Sequence, residues 1–160
     1  MGDVDPDASG WSGGDPGAVT GWTLVRAHHQ MARLFTETLA EVGLTPTQFG
    51  AMAHLATEPG LSQAEIARRV LITPQSIGEL LASLERLGAV TRTPGRPGRA
   101  KTVTLTATGR AALDRATVLV RELNAPESLG LTAEENTTLN ALLHKVLAAT
   151  DPTSRTVPGR

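Results

Sequence analysis

Helix starts are unusually legible along this chain, and they restrict it to a helical fold. Thr45 with Gln48 three residues later forms a capping box, with Pro46 at the first helical position. Leu44 and Phe49 occupy the hydrophobic-staple positions around it. Ser62 and Glu65 repeat the box, stapled by Leu61 and Ile66, and Thr132 with Glu135 makes another. Thr73 can cap a further helix, with Pro74 behind it and Ile72 and Ile77 as its staple. Stops are marked at Glu58-Pro59-Gly60, Gly88, Asn124-Ala125-Pro126 and Asp151-Pro152. These signals predict six helices, at about 22–41, 46–57, 63–70, 74–87, 107–124 and 133–149.

In the first helix Val25, His28, Ala32, Phe35, Leu39 and Val42 recur at alternating three- and four-residue spacing, a narrow seam of the coiled-coil kind. The fourth sets Ile77, Leu80, Leu81, Leu84 and Leu87 on one face, and the sixth turns Leu139, Leu142, Leu143, Val146 and Leu147 inward. Between helices four and five the period falls to two. Ala89–Arg92 and Thr102–Leu105 alternate apolar with polar and are rich in β-branched residues. Pro94-Gly95-Arg96-Pro97-Gly98-Arg99 between them is turn chemistry carrying arginines. The expectation is a mainly α fold with a small two-stranded antiparallel β-wing.

Composition narrows the function. Hydrophobic residues at 40% suffice for a core, and the absence of cysteine excludes disulfides, thiolate catalysis and Cys-ligated zinc. Four aromatic residues, Trp11, Trp22, Phe35 and Phe49, make a stacking platform for single strands a poor fit. No apolar run approaches the roughly 20 residues of a membrane helix, and the start lacks a signal-peptide layout. The expected location is cytoplasmic and nucleoid-associated, with no membrane partner. No P-loop, nucleotide-binding glycine turn or nucleophile elbow is present, so no enzymatic activity and no cofactor are expected.

Net charge is −1, but its distribution is uneven. Residues 1–21 carry only acids, and 86–115 carry Arg86, Arg92, Arg96, Arg99, Lys101, Arg110 and Arg115 against Asp114 alone. A cationic block in a near-neutral protein marks an anion-binding surface or a solvated face. Its neighbours favour the former. A short helix, a turn through Val70-Leu71-Ile72 and a longer capped helix have the layout of a helix-turn-helix. The exposed start of its second helix comprises Thr73, Pro74, Gln75, Ser76 and Glu79. Gln75 can bond bidentately to adenine, Ser76 to several bases, and Glu79 can accept from cytosine. An ordinary helical pair accounts for those helices alone, but not for a basic hairpin directly after them. Arg96 and Arg99 would reach phosphate or an A·T-rich minor groove, with Lys101, Arg92 and Arg86 on phosphate and Arg110 and Arg115 as surface charges.

Leu44-Thr45-Pro46-Thr47-Gln48-Phe49, Leu61–Ala67, Ile72–Ile77 and Leu84–Val90 resemble the multiple-antibiotic-resistance regulator (MarR) family, as does the wing exit Arg99–Gly109. The resemblance covers about residues 22–149 in the family's order. It implies a winged helix-turn-helix homodimer with N- and C-terminal dimerisation helices, reading a pseudo-palindromic operator in double-stranded DNA. Helices one, five and six are also too apolar for a small winged helix to cover alone. The organisation expected is a disordered arm over 1–21, a dimerisation helix over 22–44, the DNA-binding domain over 45–106, C-terminal dimerisation helices over 107–150 and a disordered tail over 151–160.

The resemblance further implies a repressor released by a small-molecule effector, with His28 and His54 as polar candidates for its pocket. His28-His29 diverge on the helix and His144 stands alone, so no metal site is expected. Three positions depart from the family: Pro97 replaces an Asp two residues before the wing arginine, and Glu79 and Ser83 stand where basic residues are frequent. Fewer groove cations imply a shallower salt dependence. They also motivate a competing expectation, a winged-helix protein–protein module without operator recognition. A small ligand carrier or enzyme is the more remote alternative.

Overall fold

The computed structural model describes residues 13–93 and 102–151. Its helices are α1 (Thr20–Ala40), α2 (Pro46–Thr57), α3 (Gln63–Arg69), α4 (Ser76–Arg86), α5 (Ala107–Leu123) and α6 (Ala133–Thr150). Strands β1 (Val90–Thr93) and β2 (Thr102–Leu105) lie between α4 and α5. Mainly helical structure with one two-stranded antiparallel sheet is the architecture expected. Residues up to Val120 form one compact unit, and residues from Arg121 a second.

The three capping boxes form with both reciprocal hydrogen bonds. The Thr45 N–H donates to Gln48 Oε1 at 2.9 Å and the Gln48 N–H returns to Thr45 Oγ1 at 3.2 Å. Ser62 with Glu65, and Thr132 with Glu135, repeat the exchange. The staples close beneath them: Leu44, Leu61, Ile66 and Ile77 are buried, and Phe49 and Ile72 pack against the core. That core joins Leu39, Met52, Leu55, Ile66, Leu81, Leu84 and Val103, all fully buried.

The hairpin pairs Val90 with Leu105 and Arg92 with Val103. β1 starts one residue later than expected, because the Ala89 N–H is still taken by the end of α4, donating to Leu84 O at 2.9 Å. A third segment also joins the sheet. Ser62 bridges Thr102, and the Val103 N–H donates to Leu61 O at 3.1 Å. β2 is therefore anchored, through its first two residues, to the segment that caps α3.

Several expectations need correction. The arm read over 1–21 is structured at its inner end: Pro16–Ala18 form a 3-10 turn capped by the Asp15 carboxylate at 2.8 Å, and α1 starts at Thr20, not 22. Residues 1–12 and the tail 152–160 lie outside the described residues. Of the first helix's seam, Leu39 is buried and Phe35 and Val42 pack on the core, whereas Val25, His28 and Ala32 are exposed. Leu87 is exposed, since at 100° per residue it falls at the edge of the α4 stripe. Of the α6 residues expected inward, Leu143 is half-buried and the other four are exposed. Among the described residues, eight of the ten exposed large hydrophobic side chains lie on α1 (Trp22, Val25 and Leu34), α5 (Val118) and α6 (Leu139, Leu142, Val146 and Leu147).

Candidate nucleic-acid interface

Packing decides which side of α4 is available. Ile77, Leu81 and Leu84 are buried, and this stripe presses α4 onto the core. The opposite side follows: Thr73, Pro74, Gln75, Ser76, Gly78 and Glu79 are all exposed. The residues expected to read bases thus share one accessible end of the helix.

That end differs in detail from the expectation. The α-helix proper begins at Ser76, not Pro74. Pro74 has no N–H to give, and the first turn closes through the Ser76 N–H to Thr73 O at 3.0 Å, an i→i+3 bond. Thr73 still caps: its Oγ1 accepts from the Ser76 N–H at 3.3 Å and lies 3.0 Å from Ser76 Oγ. Gln75, in helical conformation, projects from this tightened turn. Glu79 lies in the first turn, where its carboxylate complements the positive end of the helix dipole. This local role needs no cytosine.

What holds α4 in place is more specific than apolar packing. Gln48, buried beneath the α2 cap, donates from Nε2 to Ser83 Oγ at 3.0 Å, and Ser83 donates onward to Leu80 O at 2.7 Å. The amide that closes one capping box therefore also fixes the second helix of the motif. Ser83, read from sequence as a missing cation, is committed to this network. The only sequence signal for it was Gln48 inside its own box.

The turn between α3 and α4 holds another unforeseen feature. Leu71 adopts φ of 57° and is 85% exposed. A non-glycine residue in the left-handed region is strained, and here its apolar side chain finds no cover.

The basic residues separate into groups. Arg86 is exposed in the last turn of α4. Arg92, expected at phosphate, forms an ion pair with Glu85 of α4 through its Nη2. That hydrogen bond holds the Glu85 carboxyl below the usual carboxylate range and raises the guanidinium. Arg110 and Arg115 are exposed on α5. Arg96, Arg99 and Lys101 lie outside the described residues. A second surface pair joins Arg69 to Glu58 at 2.6 Å.

α5 enters against the hairpin through a close approach. Thr106 Oγ1 donates to Gly88 O at 2.6 Å and accepts from the Gly109 N–H at 3.0 Å. A Cβ at Gly109 would lie 2.1 Å from Ala89 O, so only glycine fits there.

The expected effector residues are not gathered into one cavity. His28 is exposed on α1 and His54 half-buried on α2. A shallow hollow of about 260 Å³ on α1 is lined by Thr23, Arg26, Ala27 and Gln30, and by neither histidine. Among the described residues no three His, Asp or Glu side chains converge as a metal cluster. No helix there is long and apolar enough to cross a membrane.

Comparison with known proteins agrees with this geometry. The family model described as MarR family matches residues 42–100, from the end of α1 into the segment after β1. The HTH-type transcriptional repressor Rv2887 of Mycobacterium tuberculosis is 36% identical over 130 residues, covering 81% of this chain and 94% of the relative. Its crystal structure in complex with DNA matches with a TM-score of 0.66 and 35% identity, over 79% of this chain and 96% of that one. A crystal structure of the same protein with p-aminosalicylic acid matches with a TM-score of 0.65 and 36% identity, over 79% and 97%. The transcriptional repressor CouR, bound to a 23-mer DNA duplex, matches with a TM-score of 0.74 and 32% identity, over 85% and 97%. With nearly the whole of that repressor aligned at 36% identity, the chain belongs to the MarR family.

Proposed function

We propose that this protein is a sequence-specific DNA-binding transcriptional repressor, without enzymatic activity, that acts in the cytoplasm as a homodimer on a pseudo-palindromic operator and is released by a small-molecule effector. One observation carries the reading: the start of α4 is wholly exposed while its opposite face is locked into the core. Such a helix is free to enter a major groove without unfolding anything. Thr73, Pro74, Gln75, Ser76 and Glu79 are assigned to base edges and the adjoining backbone. Arg86, Arg96, Arg99 and Lys101 are assigned to phosphate, with Arg96 and Arg99 also suited to a narrow minor groove.

The uncovered residues of α1 and α5, and separately those of α6, are assigned to dimerisation. A two-fold pair places its recognition helices about one DNA turn apart. The relative's complexes with DNA and with p-aminosalicylic acid support the regulatory half of the proposal. An aromatic acid is the effector class to try first, with His28 and His54 as its polar contacts.

A fluorescence anisotropy titration against a selected duplex tests this directly. Replacing Arg96 and Arg99 together by Ala weakens binding to every sequence. Gln75→Ala instead costs about 1–3 kcal/mol at one base position and relaxes preference there. Equal affinity of the double variant and the parent refutes the assignment of Arg96 and Arg99. Absence of salt-sensitive binding to any duplex refutes DNA recognition in favour of a protein–protein module.

A further inference from the structure

Arg92 is the third residue of β1, and Glu85 lies in the last turns of α4. Their ion pair spans the tight turn through Leu87 and Gly88, tying helix to hairpin. Among the described residues it is the sole side-chain hydrogen bond or ion pair between α4 and the hairpin. Both side chains are about one-third exposed (33% and 32%). Each strand is four residues long, too short to hold a direction of its own. Val90 and Val103 are buried, and Leu61 and Ser62 join β2 at Val103 and Thr102, so β2 is held from the α3 side. On the other edge, Arg92 is the point at which a side chain of β1 is tied to α4.

We propose that Glu85 and Arg92 are positioning residues for DNA binding: their pair sets the angle of the β1–β2 hairpin against the recognition helix, and Arg92 does not contact phosphate. This rests on the DNA-binding reading above. A phosphate-contacting arginine releases counterions, so its loss lowers the salt slope. A strut changes where other groups sit and leaves the number of released ions as it was. Glu85 sharpens the distinction. Simple electrostatics holds that removing an acid near DNA tightens binding; a strut requires that its removal weakens binding.

The experiment uses the full-length chain and a fluorescein-labelled duplex that the parent recovers from a random-sequence pool, titrated at several salt concentrations. The variants are Glu85→Gln, Glu85→Asp, Arg92→Ala, the Glu85→Gln/Arg92→Ala double variant and the charge-swapped Glu85→Arg/Arg92→Glu pair. Glu85→Gln and Arg92→Ala are each expected to weaken binding by about threefold to fivefold, the scale of one surface ion pair, with the salt slope unchanged. The double variant is expected to be no weaker than either single one, and the swap to recover most of the affinity. Glu85→Asp, which keeps the charge and shortens the arm, is expected to lose affinity as well. A salt slope lowered by about one in Arg92→Ala, or tighter binding by Glu85→Gln, overturns the proposal and returns Arg92 to phosphate. Failure of the parent to recover or bind any duplex overturns the DNA-binding reading itself. Thermal melts of each variant identify any loss that comes from unfolding, and the conservative Glu85→Gln then decides the matter.

Discussion

Two helix glycines, one in α5 and one in α4, are expected to respond to the same substitution with opposite signs. Gly109 lies in the first turn of α5, where an added Cβ would meet Ala89 O at 2.1 Å, Leu105 Cδ1 at 2.7 Å and the Ala89 carbonyl carbon at 2.9 Å. The leucine tip can rotate away, but the carbonyl cannot. It already accepts the Thr106 N–H at 3.0 Å, and Thr106 Oγ1 stands 3.2 Å from it. Relief requires α5 to move by about 1 Å from the hairpin, which breaks the Thr106 cap and opens the contact with Ala89 and Leu105. Overpacking of this kind costs about 1–3 kcal/mol, and an immobile backbone acceptor puts Gly109→Ala at or above the upper end. Helix propensity offsets at most about 1 kcal/mol of that. Gly78, inside α4, has no heavy atom within 4 Å of the same Cβ position. There the propensity gain stands alone, and Gly78→Ala is expected to stabilise by up to about 1 kcal/mol. Urea unfolding followed by circular dichroism measures both, at equal protomer concentration because dimerisation couples to stability. A shift of the same sign in both variants, or a Gly109→Ala protein as stable as its parent, refutes the packing argument.

Ser83→Ala is expected to destabilise by about 1–2 kcal/mol in the same assay, because it leaves the buried Gln48 amide without its acceptor; Ser83→Thr keeps most of the stability. Leu71→Gly relieves about 1–2 kcal/mol of left-handed strain, loses part of that to unfolded-chain entropy, and is expected to gain about 0.5–1 kcal/mol of unfolding free energy in urea. Glu65 and Glu135 are held below the usual carboxylate range. The Ser62 hydroxyl is the main cause at Glu65, and the Thr132 backbone N–H at Glu135. Depressed carboxylates stabilise the fold above their unfolded pKa, so the midpoint is expected to fall from about pH 5 to about pH 3. Glu65→Gln with Glu135→Gln flattens that acid limb, since amides do not titrate.

How much of this was written in the local pattern varies from element to element. Thr45, Ser62 and Thr132 announce their helices because a capping box needs only four consecutive residues, and all three form as expected. The Ala89–Leu105 region declares a hairpin by its period of two. The local pattern places the start of α4 two residues early, since Pro74 suits both a first helical position and the tighter turn that closes on Thr73. Contacts between residues far apart in sequence left no comparable mark. Gln48 reaches Ser83 across 35 positions, Ser62 bridges Thr102, and Gly109 matters only because Ala89 lies against it. Arg92 looked like any other cation of the basic block until the fold set Glu85 beside it. The exposed faces of α6 show the converse. Periodicity finds the apolar stripe correctly and cannot say whether it is covered within one protomer or by a second.

Selection from a random-sequence duplex pool by the full-length protein, followed by sequencing of the bound fraction, bears most directly on whether the exposed turn of α4 reads DNA. Recovery of a two-fold-related motif whose half-site centres are about 10 base pairs apart is the expected result, with Gln75→Ala erasing preference at one position in each half. A bound pool as varied as the input, or a motif that Gln75→Ala recovers unaltered, contradicts the account.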